Sequence, residues 1–113
     1  MITSVNEKLR RVESLLKNIA PGISFHYRRP PEMKRFIVWQ EEAEDMAFSA
    51  NNRKQEVCMT GSIDVYTPIE YDQLIDDLTA ALAQAQRIQA QINAVQYEDE
   101  TGLIHYTFAF WVI

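Results

Sequence analysis

Only a few side chains in this 113-residue chain are of a type that makes or breaks bonds, and their spacing decides what they are for. There are two histidines, His26 and His105, and a single cysteine, Cys58. A nucleophilic site needs the attacking group beside a base, with a third group orienting that base. Cys58 has no histidine or cation near it in sequence, so it reads as a small packed strand residue and not as a thiolate. His26 and His105 each alternate with apolar neighbours. They are therefore expected to point off the aromatic-bearing face of their strands, at a surface or an edge. Two acid clusters, Glu41, Glu42, Glu44 and Asp45 and then Glu98, Asp99 and Glu100, have the oxygen chemistry for a hard cation but not the ligand spacing of a calcium loop. They read as solvated carboxylates. Asp64 sits between Ile63 and Val65, where aspartate is depleted in strands. It is expected to face water or to form a structural ion pair with a cation such as Arg28. No Gly-rich phosphate loop, C-x-x-C, H-E-x-x-H or nucleophile elbow is present. The expectation is a protein that is not an enzyme and holds no cofactor and no metal.

The remaining chemistry is that of an interface. Residues 1–40 carry eight Lys/Arg against three acids, and residues 41–113 carry three against thirteen, for a net charge of −5. Overall acidity disfavours dedicated nucleic-acid binding. The uneven distribution suits association of one copy with another, basic patch to acidic patch. Arg28-Arg29 and Lys34-Arg35 bracket a Pro-Pro loop. Met33, Met46 and Phe48 lie on polar segments whose pattern cannot bury them. Arg28, Arg29, Met33, Lys34, Arg35, Met46 and Phe48 are the candidate contacts with a partner.

These residues are carried by seven elements. Ser4 and Glu7 have capping-box spacing, and Val5, Leu9, Val12, Leu16 and Ile19 line one helical face, which predicts a helix over 4–19. Ile23, Phe25 and Tyr27 alternate as a strand that Pro30-Pro31 interrupts. Phe36–Gln40 is a second strand, apolar on both parities. Residues 41–56 read as a long loop or a protruding hairpin. Val57–Tyr66 is a third strand, with Gly61 as a bulge candidate. Thr67-Pro68-Ile69-Glu70 has the form of a helix start, and the apolar stripe Tyr71, Leu74, Ile75, Leu78, Leu82 and Ala85 predicts a helix over 68–86. Residues 88–98 read as a strand of unsettled register, because their apolar positions switch parity. A hairpin turn at 98–102 leads into the clearest alternation, Ile104, Tyr106, Phe108, Phe110 and Val112.

The order α-β-β-β-α-β-β predicts one α+β domain over 1–113, a two-layer sandwich. It has a mainly antiparallel sheet of about five strands with two amphipathic helices on one face. Leu9, Val12, Leu16, Leu74, Ile75, Leu78 and Leu82 are expected to pack against Ile104, Tyr106, Phe108 and Phe110. With 47% hydrophobic and 24% charged residues the chain is globular in composition. One cysteine and no signal-peptide pattern point to a reducing, intracellular setting, and no apolar run reaches the ~20 residues of a membrane helix.

Two stretches resemble a known family. They are Gly61-Ser62-Ile63-Asp64-Val65-Tyr66-Thr67-Pro68, continuing through Tyr71-Asp72-Gln73-Leu74-Ile75-Asp76-Asp77-Leu78-Thr79-Ala80-Ala81-Leu82, and Tyr97-Glu98-Asp99-Glu100-Thr101-Gly102-Leu103-Ile104-His105-Tyr106-Thr107-Phe108. Together they are similar to the tail terminator (tail completion, minor tail) proteins of long-tailed bacteriophages and prophages, with the same element order across most of the chain. The resemblance implies a structural protein that forms a ring, typically hexameric, on the head-proximal end of the tail tube. Its implied partners are itself, the tail tube protein and the head connector or neck proteins. It implies assembly in the host cytoplasm and a place in the tail or neck of the virion. Two other readings stay open from the residues: another neck protein (head completion or connector stopper), or a small dimeric ligand-binding or enzymatic α+β domain.

Overall fold

The computed structural model describes residues 4–48 and 55–113, and the side chains of 47, 48, 55 and 56 lie outside that description. The elements run α1 (Val5–Ile19), β1 (Ser24–His26), β2 (Phe36–Phe48), β3 (Gln55–Thr67), α2 (Gln73–Gln84), β4 (Ile88–Glu98) and β5 (Leu103–Val112). This is the expected α+β order, on one five-stranded sheet arranged β1-β2-β3-β5-β4.

The local signals explain most elements. The Ser4 hydroxyl accepts from the Glu7 amide at 3.1 Å and caps α1. Gly102, at φ 72°, closes the β4–β5 hairpin, and its amide donates to the Glu98 carbonyl.

α2 departs from the sequence reading. It begins at Gln73, not near Pro68, because Tyr71 takes φ 60° and delivers Asp72 as the N-cap. Asp72 accepts from the Leu74 amide at 2.9 Å. Thr67 spends its hydroxyl on a tight turn, accepting from the Ile69 amide.

The sheet is mixed. β2–β3, β3–β5 and β5–β4 are antiparallel, but β1 runs parallel to β2, with His26 opposite Trp39. β1 is only three residues long, so residues 27–35 suffice to carry the chain back. β2 and β3 stay paired along their whole length, out to Phe48 opposite Gln55. Residues 41–48 therefore belong to β2, and residues 49–54 lie outside the described residues.

Two extra residues break the pleat. Glu42 has no partner between Glu41–Gly61 and Ala43–Thr60, and Asn93 has none between Ile92–Phe108 and Ala94–Thr107. The bulge expected at Gly61 thus lies on its partner strand. Asn93 accounts for the unsettled register of β4. Ile88, Ala90 and Ile92 before it, and Val95 and Tyr97 after it, all fall on one face.

Both helices cover that face. Val12, Leu16, Leu74, Leu78 and Leu82 pack on Ile37, Trp39, Ile63, Val65, Phe108, Phe110 and Val112. Leu9, Ile75 and Tyr106 join as half-buried neighbours, while Ile104, at the rim, is outside this cluster. Phe36, Tyr66 and Leu103 form a smaller cluster on the opposite face. No helix among the described residues is long and apolar enough to cross a membrane.

Candidate functional site

On the face away from the helices, the strand register lines up Phe36, Tyr66 and His105 across β2, β3 and β5. Tyr66 stacks on Phe36 (4.8 Å) and on His105 (4.1 Å), and the Arg29 guanidinium lies 4.4 Å above it. Burial pushes the Tyr66 phenol up, with Arg29 pulling the other way.

Beside this row, Asp64 accepts from Thr107 at 3.0 Å and meets His105 Nε2 at 2.8 Å, with Thr107 Oγ1 3.3 Å from the same nitrogen. The residue types are those of a hydrolytic triad, but the connectivity is not. A relay needs the acid on one ring nitrogen and the nucleophile on the other. Here Asp64 and Thr107 both converge on Nε2. The other nitrogen faces Glu98 at 3.8 Å, beyond hydrogen-bond range. The partners of Asp64 are thus His105 and Thr107 and not Arg28.

The second histidine departs further from expectation. The parallel register turns His26 onto the helix-covered face, where it is sandwiched between Trp39 (3.9 Å) and Tyr27 (3.7 Å). Its Nε2 meets Glu41 at 2.7 Å, and the Tyr27 hydroxyl donates to the other oxygen of the same carboxylate. Burial pushes the Glu41 carboxyl up, but these two hydrogen bonds, a backbone hydrogen bond and the charge of His26 together hold the group below its ordinary value. Sequence reasoning missed this cluster because the alternation of 23–28 does not say which of its two parities meets the helices; the pairing of His26 with Trp39 decides it.

The candidate interface residues divide. Arg35 makes two hydrogen bonds to Asp72, at 2.7 and 2.8 Å, which tie the Pro-Pro loop to the start of α2. Those bonds, with Thr67 and the Leu74 amide in support, hold the Asp72 carboxyl far below the usual range and raise Arg35. Arg29 is committed to Tyr66. Arg28, Met33 and Lys34 remain exposed on the loop, and Met46 is exposed on the outer part of β2. Phe48 ends β2, and its side chain lies outside the described residues.

The structure adds a surface that the sequence reading did not single out. Ile92, Val95 and Tyr97 are 43%, 54% and 63% exposed, in one row on the outermost strand β4. Between Ile88 and Tyr97 that strand has no charged residue. Among the described residues nothing pairs with the outer edge of β4, or with β2 beyond the stretch that β1 and Tyr27 cover. The available signal was the parity switch itself: a strand with apolar residues on both sides of a bulge has more apolar face than two helices can cover.

Cys58 is buried, below an open cleft of about 410 Å³ lined by Trp111, Arg87 and glutamines. Among the described residues no three His, Cys, Asp or Glu side chains gather as a metal site.

No protein-family model matches this chain, and no curated protein does. Among solved structures, the chain is similar to one from the virion of a native gene transfer agent particle. The identity is 12% and the TM-score 0.48, over 96% of this chain and 90% of that one.

Proposed function

We propose that this protein is a non-enzymatic structural subunit of a phage-type tail that assembles head-to-tail into a ring. As a terminator it caps the head-proximal end of the tail tube and meets the head connector on its other side. The observation that carries the reading is the pair of strand edges left unpaired among the described residues on opposite sides of one sheet, with the exposed row Ile92, Val95 and Tyr97 beside one of them. A long, uncharged edge strand is a template for pairing with another chain. A ring requires two different, mutually complementary patches on each copy. Successive antiparallel pairings make β4 antiparallel to β2. When copies repeat side by side around an axis near the strand direction, β4 of one meets β2 of the next as an antiparallel pair.

Further support comes from the sequence resemblance to tail terminators. The Asp64–His105–Thr107 connectivity, which gives no relay to a nucleophile, agrees with the non-enzymatic reading. Arg28 and Lys34 are the loop cations left for a partner's carboxylates. They would contribute to register more than to affinity, since exposed ion pairs are each worth ~0.2–1 kcal/mol. The proposed place is the virion neck, after assembly in the host cytoplasm.

The test is Val95→Lys with Tyr97→Lys, compared with Arg28→Glu with Lys34→Glu. Light scattering and electron microscopy would follow the free protein and the protein added to tail tubes. Loss of rings in the first double variant, with its thermal melt unchanged, is the expected result. Rings that persist in it would remove β4 from the contact. A parent protein that neither self-associates nor binds tubes would remove the ring.

A further inference from the structure

Among the described residues, Tyr27 has a backbone conformation that its side chain rarely adopts. Its φ is 70°, in the left-handed region that a tyrosine rarely enters, and its side chain is 56% exposed. The Tyr27 amide still donates to the Trp39 carbonyl at 2.9 Å, and the next amide, Arg28, donates back to the His26 carbonyl at 2.8 Å. A hydrogen bond spanning a single residue at this φ makes Tyr27 the centre of a γ-turn of the rare, strained kind. Such strain persists only where surrounding contacts over-determine it, and it gathers at ligand sites. Here the contacts are visible: one ring face lies on His26, and the hydroxyl is tied to Glu41. The other strained tyrosine, Tyr71, has a structural explanation, since its turn delivers Asp72 to cap α2. For Tyr27 the fold offers no equivalent reason.

The result is a fixed aromatic plate, Tyr27 on His26 on Trp39, on one wall of an open cleft of about 370 Å³. The facing wall is α1, through Leu9, Arg10 and Glu13. We propose that this cleft receives an arginine side chain of another polypeptide, its guanidinium flat on the free face of Tyr27 and turned toward Glu41.

Four features of the cleft select that chemistry. An aromatic face attracts a cation, and a planar guanidinium both stacks and donates where an ammonium only attracts. Each Glu41 oxygen accepts one bond already and has a lone pair left. Leu9, half-buried on the facing helix, supplies apolar contact for an arginine stem. Glu13 adds a second carboxylate, itself 3.6 Å from Lys17. The same pairing already exists inside the chain, where Arg29 lies over Tyr66. Arg10, exposed at the rim, opposes the incoming charge and keeps the site weak. The argument does not depend on the ring, and the partner can be a second copy or another protein.

The probe is a blocked Gly-Arg-Gly peptide, titrated into the labelled full chain and followed by NMR at the Trp39 indole and the 26–28 amides. The lysine analogue and adenosine monophosphate serve as comparison ligands. Arginine is expected to bind roughly two- to fivefold better than lysine. Arg10→Ala should tighten it, and Glu41→Gln should weaken it. Tyr27→Asn keeps a residue that tolerates the turn and should abolish the shifts. Should that variant not fold, Arg10→Ala decides alone, on the intact plate. Equal shifts with lysine and arginine, no saturable shift at millimolar peptide, or a nucleotide that binds better and weakens in Arg10→Ala would each overturn the proposal.

Discussion

Replacing Asp72 by alanine should destabilise the protein by about 2–6 kcal/mol. Three losses make up that figure. The carboxylate caps α2 through the Leu74 amide, and removal of an N-cap costs about 0.5–2 kcal/mol. It also accepts from the Thr67 hydroxyl at 2.6 Å, and Thr67 is fully buried. A buried donor left without an acceptor costs about 1–3 kcal/mol. The third loss is the Arg35 pair. Asp72 is almost wholly buried, but the Arg35 side chain is 41% exposed and keeps its hydration when freed, so this part is about 0.2–1 kcal/mol.

Urea unfolding at neutral pH is the assay. With a slope of about 2 kcal/mol per molar, the midpoint should fall by roughly 1–3 M at constant slope. Thr67→Ala is the control. It removes one hydroxyl and leaves the cap in place, so it should cost distinctly less. If Thr67→Ala cost as much as Asp72→Ala, or if Asp72→Ala cost under about 0.5 kcal/mol, the hub described at Asp72 would be wrong.

The same carboxylate sets a pH dependence: its folded value lies below the ordinary 3.8, so its contribution is complete above that pH and is lost as the pH falls below it. Asp72→Asn, which can still cap, should flatten the stability curve in that acid range, as read by urea midpoints at successive pH values. Gly61→Ala should cost about 1–3 kcal/mol or fail to fold, because the added carbon overlaps the Gln40 carbonyl oxygen and lies 2.6 Å from the Phe110 ring; circular dichroism melts decide it. Leu78→Ala, at a position with no exposure, should cost about 2–5 kcal/mol in the same melts.

Where local signals decide structure, the sequence was legible. The Ser4 cap, the stripe Val12 and Leu16, the alternation of 104–112 and the Gly102 turn each rest on contacts within a few residues. Thr67-Pro68-Ile69-Glu70 misled because it satisfies the cap pattern, while the real start depends on Arg35, thirty-seven residues away from Asp72. The site was harder to read for a related reason. Whether Arg29 is free depends on Tyr66, and which way His26 faces depends on its register with a partner strand. Ile92, Val95 and Tyr97 look like core by hydropathy. Only the placement of the helices leaves them bare.

The unpaired Asn93 has a consequence for how this surface can change. A pleated strand has a phase, and an extra residue inverts it for everything downstream unless that residue is set aside as a bulge. Were Asn93 drawn into the ladder as an ordinary pleat residue, Val95 and Tyr97 would swing to the far side of β4, and Ala94 and Gln96 would take their places. The apolar seam would become a nearly polar one with no residue changed. The bulge therefore acts on this edge as a frame shift acts on a reading frame: it sets the surface by re-phasing the same letters. Deletion of Asn93, by contrast, would keep Val95 and Tyr97 on the face of Ile92 and only straighten the strand.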